Sequence, residues 1–322
     1  MFLKPFSTPF DTNQLISLNR RVIPTHYMRP RILKDYNLAI AGLYGEKEVY
    51  FYLKHLPSGH YFILHNIRLK DATGYFQMDY IIISVKFILI LEVKNYSGKV
   101  YFNKFNQLEL IKSDQIENEV FQNPITQVER HQLLLQNWLL NHLFLDIPVY
   151  SYVIFSSPTT LIQSDASHSD IHKKIISGSN LVPTILQLAN QEQKHHLTFN
   201  DIKSISSLLI DSHSPYKINI EKKYRVYYNE LIKGIHCPNC SSIPLEKNNK
   251  VWFCQNCDYV GPNNYTQSLN DYYYLISEEI TNKEARDFLQ IHSPSTMRYL
   301  LQKAGYEYTG GYKGRKYILT VK

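Results

Sequence analysis

Two carboxylates and an ammonium occur close together in the stretch from Tyr75 to Lys94: Asp79, Glu92 and Lys94. Around them the chain forms two apolar, β-branched runs separated by a short break at Ser84 to Phe87, which is a hairpin pattern. A turn centred between Val85 and Lys86 sets Asp79 opposite Glu92, with roughly 5 Å between their Cβ atoms. Side chains alternate along a strand, so Lys94 emerges on the face of Glu92 and Val93 on the other. Like charges directly opposed are destabilising unless something sits between them, and a divalent hard cation, which takes carboxylate oxygens, is the usual bridge. Lys94 would then orient or activate a water, or stabilise developing negative charge. The alternative is a charged sheet rim in which Lys94 neutralises one acid. Ser-Val-Lys-Phe is not a favoured turn sequence, and a one-residue slip would part the pair.

The elements around the hairpin must hold these groups. Asn37 to His55 reads as a helix with Leu43, Tyr50 and Leu53 on one stripe. Glu46 falls inside that stripe and Glu48 points away. Glu46 is placed either to reach the hairpin acids as a third carboxylate or to turn to water at the stripe's edge. Tyr61 to Leu69 reads as a first strand, and the hairpin is apolar on both faces, as in a covered sheet. Val100 to Leu110 continues as edge strands. Asn123-Pro124 is a good helix start, with Asn as N-cap and Pro in the first turn. The helix is expected to run to about Leu143, with Gln127, His131, Leu134 and Trp138 on one face. Gln127 would bring an amide to the site to hold a water or a phosphate, or else remain a surface amide. Val149 to Phe155 reads as a buried strand. Strand, hairpin, helix and strand predict an α/β sheet with helices against it.

Gly45-Glu46, Gln77-Met78-Asp79, Glu92-Val93-Lys94-Asn95, Gly98, and Asn123-Pro124 with Gln127 together resemble the nuclease-related domain (NERD) family of the PD-(D/E)XK nuclease superfamily, over about residues 38 to 155. The resemblance implies a restriction-endonuclease-like mixed sheet flanked by helices. It implies Mg²⁺ (or Mn²⁺) on Asp79 and Glu92, Lys94 acting on the attacking water, Glu46 as a helix-borne acid, and Gln127 as a family position of the site. Met78 stands where the superfamily has a Pro before the first Asp, a departure expected in the NERD branch.

The sharpest local signal lies later, in Cys237-Pro238-Asn239-Cys240 and Cys254-Gln255-Asn256-Cys257, which hold all 4 cysteines of the chain. Two such turns bring four thiolates to one tetrahedral Zn²⁺, and the gap between them accommodates a hairpin. The unit resembles a zinc ribbon, a closed structural site. Disulfides would require a secreted chain, and nothing marks this one as such.

The tail carries a capping-box pattern, Thr281 with Glu284, ahead of an apolar face at Ala285, Phe288 and Leu289. A second helix starts at Ser293-Pro294 and stops at Gly305. A Gly310-Gly311 turn and a basic strand follow, so the tail looks like a small helix-turn-helix with a wing. Arg298, Lys313, Arg315 and Lys316 are the candidate phosphate-binding cations. The alternative is a small packing domain. The formal charge of +7 sits mostly in this tail, which points to nucleic acid, with DNA expected.

The remaining segments carry less. Residues 1 to about 35 are expected as an irregular arm with one short helix. Glu221 to Ile232 reads as a basic helix. The histidines between Ser156 and Tyr216 (His168, His172, His195, His196, His213) lack ligand spacing and are expected at the surface. The expected divisions are an arm (1–36), a nuclease-like domain (37–156), a helical extension and linker (157–216), a basic helix with the ribbon (217–265) and the winged tail (266–322). No apolar run is long enough to span a membrane, and no signal sequence opens the chain, so a cytoplasmic location is the default. Gly98-Lys99 lacks the rest of a phosphate loop, which argues against an NTP-driven motor. Two functions remain: a metal-dependent nuclease, and a non-catalytic nucleic-acid-binding protein.

Overall fold

The protein is described here from a computed structural model covering residues 1–111, 118–165, 171–248, 251–311 and 314–322. In chain order come β1 (Phe2–Lys4), α1 (Phe10–Arg21), α2 (Arg29–Leu53), β2 (Phe62–Lys70), β3 (Tyr75–Ile83), β4 (Ile88–Lys94), β5 (Gly98–Phe102), β6 (Gln107–Ile111), β7 (Glu119–Gln122), α3 (Pro124–Asn141), β8 (Val149–Phe155), β9 (Thr160–Ser164) and β10 (Ile175–Ser177). Then follow α4 (Leu181–Gln191), α5 (Phe199–Asp211), α6 (Ile220–Tyr224), β11 (Glu246–Asn248), β12 (Val251–Phe253), β13 (Val260–Gly261), α7 (Tyr265–Leu275), β14 (Glu279–Thr281), α8 (Asn282–Leu289), α9 (Pro294–Lys303), β15 (Tyr308–Thr309) and β16 (Lys316–Ile318). These elements form two compact units, Met1–Pro9 with Ile40–Tyr216, and Phe10–Ala39 with Lys217–Lys322.

In the first unit, Ser84 makes the turn that sets the register of the central sheet. Its N–H donates to the Phe87 carbonyl at 2.9 Å. Its hydroxyl accepts from the N–H groups of Lys86 and Phe87 at 3.2 and 3.1 Å. A serine hydroxyl thus supplies what the sequence lacked in turn-forming Asn or Gly. The ladder that follows pairs Ile83 with Ile88, Ile82 with Leu89, Ile81 with Ile90 and Tyr80 with Leu91. That is the register with Val85 and Lys86 at the turn's centre.

The sheet has the order β1-β2-β3-β4-β8-β10. β2, β3 and β4 are antiparallel neighbours, whereas β8 runs parallel to β4 and β10 parallel to β8. One face packs Ile81, Ile83, Ile88 and Ile90 against α3, through Val128 and Leu135, and against Ile202 and Ile205 of α5. The other face packs Tyr80, Ile82, Leu89 and Leu91 against Val49 and Leu53 of α2 and Ile185 of α4. Both faces are covered, which explains the unbroken apolar composition of β3 and β4. The expected edge strands form a separate sheet, β7-β6-β5-β9, whose Val100, Phe102 and Leu108 join the α3 side of the core.

The first 35 residues are regular rather than irregular. β1 pairs with β2, and α2 begins at Arg29 instead of Asn37, because Pro30 sits in its first turn, where a missing N–H costs nothing. The expected basic helix shrinks to α6, ended by Arg225 in the left-handed region at φ 51°. His213 is not a surface residue: it is half-buried, its Nδ1 accepts from the Arg68 N–H at 3.1 Å, and burial beside Lys4 and Arg68 lowers it to about 4. His168 lies outside the described residues.

The second unit contains the ribbon sheet β11-β12-β13 and a winged domain. In the winged domain α7, β14, α8 and α9 precede a β15–β16 hairpin, and β14 pairs with β16 to give the sheet order β14-β16-β15. Thr281 and Glu284 form the expected capping box at the start of α8. The core of this unit joins Phe288, Met297, Leu301 and Tyr317 to Ile235, Cys237 and Cys254. No described helix is long and apolar enough to cross a membrane.

Candidate active site and metal centre

Asp79 lies at the point where the sheet opens. The β3–β4 ladder stops at Tyr80, one residue short of it, and the β2–β3 ladder skips the position opposite it, where Asn66 is left-handed at φ 52°. Freed from regular pairing, the Asp79 carboxylate accepts the Val93 N–H at 2.7 Å through Oδ2. That bond ties β3 to β4 beside Glu92. Burial raises the Asp79 carboxyl well above its ordinary range, and the charges of Glu92 and Glu46 add to this.

Glu92 is buried and collects the other groups. Its Oε1 accepts from Lys94 Nζ and from Gln127 Nε2, both at 2.7 Å. Lys94 also donates to Gln127 Oε1 at 3.2 Å. Gln127 is therefore no surface amide: Asn123 caps α3 by accepting the Ile125 N–H, which starts the helix one turn before Gln127. Burial alone would lower Lys94, but Glu92 and Asp79 hold it above its ordinary value, so it is an ammonium at neutral pH. Burial raises Glu92 too, although Lys94 opposes this.

The second oxygen, Glu92 Oε2, is buried and has no hydrogen-bond partner. His131 Nδ1 lies 3.6 Å from it, itself buried and unbonded. Burial, with Arg130 and Lys94 nearby, lowers His131 to about 4, so it is neutral at pH 7. His131 was visible in the sequence as a neighbour of Gln127 on one helix face, but nothing there gave it a role.

Glu46 approaches from the opposite layer. Gly45 is what allows this: a Cβ there would lie 2.6 Å from Asn95 Cβ and 2.8 Å from Ser156 Oγ. Asn95, just past the end of β4, donates through Nδ2 to the Ala41 carbonyl at 2.7 Å and fastens α2 there. The Glu46 carboxylate is engaged by His65 Nε2 at 2.7 Å, and Tyr80 donates its hydroxyl to the Glu46 carbonyl at 2.7 Å. His65 Nδ1 accepts from Ser7 N–H, which leaves Nε2 as the protonated nitrogen. His65 and Tyr80 escaped the sequence reading because a single His and Tyr inside an apolar strand carry no spacing signal.

Asp79, Glu92 and Glu46 influence one another but do not close into one ligand cluster. Among the described residues the one set of three or more metal-type ligands within 4.8 Å of one another is Cys237, Cys240, Cys254 and Cys257. A divalent cation nonetheless fits the hairpin site chemically, because Glu92 Oε2 is a buried anionic oxygen without a donor and Asp79 is a destabilised acid beside it.

The cysteines form two matching knuckles. Cys237 N–H donates to the Ser242 carbonyl and Cys254 N–H to the Tyr259 carbonyl, both at 2.9 Å. Ser241 and Asp258, each following the second cysteine, are left-handed at φ 62° and 53°. The Asn239 N–H and Asn239 Nδ2 approach Cys237 and Cys257 sulfurs at 3.4 Å, and Asn256 Nδ2 approaches Cys240 at 3.5 Å. Ser242 and Asn256 draw the Cys240 thiol down to about 5, while burial pushes Cys254 up to about 11. Four sulfurs with N–H donors turned toward them suit a structural metal such as zinc.

In the winged domain, Arg298 and Arg315 line one cleft of 340 Å³ with Lys283 and Asn282. The Arg315 guanidinium lies 3.8 Å above the Tyr308 ring. Lys316 faces away to an exposed pair with Glu279 at 2.9 Å. Lys313 lies outside the described residues.

Comparison with known proteins points to the same segment. Residues 41–156 match the family described as "Nuclease-related domain". The segment is a nuclease-related domain. It contains Glu46, Asp79, Glu92, Lys94 and Gln127, and its bounds nearly coincide with the resemblance read from the sequence. An uncharacterized protein of Bacillus anthracis is 28% identical over 195 residues, covering 60% of this chain and 77% of that protein. No solved structure matches.

Proposed function

We propose that the chain is a metal-dependent nuclease that hydrolyses phosphodiester bonds, with DNA as the expected substrate. The observation that carries this reading is the grouping of Asp79, Glu92, Lys94 and Gln127 where the β3–β4 ladder ends, inside the segment that matches the nuclease-related domain. Asp79 and Glu92 Oε2 would hold the cation. A bound Mg²⁺ or Mn²⁺ would polarise a phosphoryl oxygen and acidify a water. Lys94, being protonated, serves as a hydrogen-bond donor and a positive charge rather than as a proton acceptor. It orients the attacking water or meets the charge developing on the phosphate. Gln127 holds the ammonium and Glu92 in one geometry. Glu46, fixed by His65, sets the negative potential on the α2 side. The cysteines would hold structural Zn²⁺, and the cleft of Arg298 and Arg315 would take nucleic-acid phosphates.

The test is incubation with Mg²⁺ or Mn²⁺ and single- or double-stranded DNA and RNA. Cleavage that Lys94→Ala and Asp79→Asn both abolish supports the reading; no such cleavage of any form defeats it.

A second reading, a non-catalytic nucleic-acid-binding protein, draws on a different observation. One Glu92 oxygen is already satisfied by Lys94 and Gln127, and Glu46 is engaged by His65. On that reading binding survives Asp79→Ala, depends on salt, and weakens when residues 297–322 are deleted.

A further inference from the structure

Helix α9 exposes two flanks. Arg298 faces the cleft toward the β15–β16 hairpin, whereas Thr296 and Tyr299 line a different groove of 480 Å³. At 100° per residue, Thr296 and Arg298 stand nearly opposite each other across the exposed arc. The far wall of this groove is the ribbon, through Leu245, Lys247 and Trp252. Asn263 and His292 add polar edges, and among the described residues no acid lines the groove.

The aromatic rings are disposed for contact. Tyr299 is exposed, and Trp252 is half-buried on β12. Lysines accompany both: Lys247 Nζ is 5.5 Å from the Trp252 ring and Lys303 Nζ 5.9 Å from the Tyr299 ring. Gly234 lets Pro244 pack closely at the floor, since a Cβ there would meet Pro244 at 2.8 Å. Flat rings, amide and hydroxyl edges, and lysines are the components with which proteins hold unpaired bases and their phosphates. A base-paired duplex keeps its base faces stacked inside and cannot present them to a recessed tryptophan.

We propose that this groove binds an unpaired nucleic-acid segment, with bases stacking on Trp252 and Tyr299 and with Lys247 and Lys303 meeting the flanking phosphates. The proposal rests on the nucleic-acid-binding part of the reading above and is independent of catalysis.

The chain has 2 tryptophans, so Trp138→Phe leaves Trp252 as the sole tryptophan, which is excited selectively at wavelengths that tyrosine does not absorb. In full-length, zinc-loaded protein carrying Asp79→Asn to prevent cleavage, oligo(dT) and oligo(U) are titrated against a blunt duplex. The expected result is quenching of Trp252 by one or both single strands. Tyr299→Ala and Lys247→Glu should each weaken single-strand binding on the order of tenfold, with duplex binding changed less than about twofold. Fluorescence anisotropy of labelled oligonucleotide with Tyr299→Ala alone gives the same answer without touching Trp138. Absent quenching, an unchanged single-strand affinity in Tyr299→Ala, or an equal loss for duplex would overturn the proposal. That includes the case in which the groove takes a peptide instead. Quenching without metal-dependent cleavage in the native protein would sink the nuclease reading alone. Cleavage without quenching would sink this proposal alone.

Discussion

Gly45 and Asn95 touch so closely that a methyl group on the former would lie 2.6 Å from the Cβ of the latter. The contact sets how near α2 comes to the end of β4, and so how near Glu46 comes to Asp79 and Glu92. Gly45→Ala should force the helix outward. It should cost about 1–3 kcal/mol of stability, as overpacked sites do. It should also reduce cleavage more than that loss explains; thermal denaturation and a cleavage assay on the same preparation separate the two effects.

The raised carboxyls of Asp79 and Glu92 have a consequence for stability against pH. The folded protein retains protons on them that the unfolded chain has already lost, so stability falls as pH rises above the ordinary carboxylate range. Asp79→Asn removes part of that slope. In metal-free buffer at pH 7 it should stabilise the protein by about 1 kcal/mol, or roughly 2–4 °C in Tm, while abolishing cleavage. Mg²⁺ or Mn²⁺ should stabilise the native protein and leave Asp79→Asn unmoved. A native protein indifferent to both cations in calorimetry would contradict the metal assignment.

His131 acts in the other direction. Held at about 4 by burial, it refuses a proton that the unfolded chain accepts near 6.5. Its contribution is intact above pH 6.5 and is lost as pH falls toward 4. His213 behaves alike, so His131→Phe should remove only part of the acid sensitivity. Urea unfolding between pH 4 and 7 measures it.

Zinc should be bound at one ion per chain and be lost on mutating any of the four cysteines, as read by elemental analysis. Because Cys237 and Cys254 belong to the same core as Phe288 and Tyr317, removing the metal should lower the melting temperature of the winged domain as well as the ribbon.

Arg298→Ala and Arg315→Ala should each weaken duplex binding several-fold and reduce the salt dependence by about one phosphate contact. Lys316→Ala should do less, since its ammonium is directed to Glu279. Binding isotherms at several salt concentrations distinguish them.

The common face of Glu92 and Lys94 was legible in the sequence through strand parity, whereas the direct cross-strand pair expected of Asp79 and Glu92 falls beyond the ladder, which ends at Tyr80–Leu91, and Asp79 accepts the Val93 N–H instead. The turn chemistry was not legible, since Ser84 closes it with a side chain rather than with a favoured dipeptide. Gln127 was legible through the Asn123-Pro124 helix start. The His65 partner of Glu46 was hidden because it comes from another strand and reaches the acid only through tertiary packing. α2 starts ahead of the expected Asn37 because Pro30 lies in its first turn, where a proline initiates a helix. Glu221 to Ile232 looked helical by composition, but Arg225 turns left-handed. The 3-residue strand β14 was too short to see, yet it completes the sheet beneath the β15–β16 hairpin.

The 2.7 Å pair between Lys94 and Glu92 means that the site at rest carries its own counter-ion. A cation would meet the free oxygen Oε2 while the ammonium holds Oε1, and an arriving phosphate would offer that ammonium a new partner. Each visitor thereby lowers the barrier for the other. A site built this way is expected to hold its cation more tightly when a phosphate polymer is present than when it is absent.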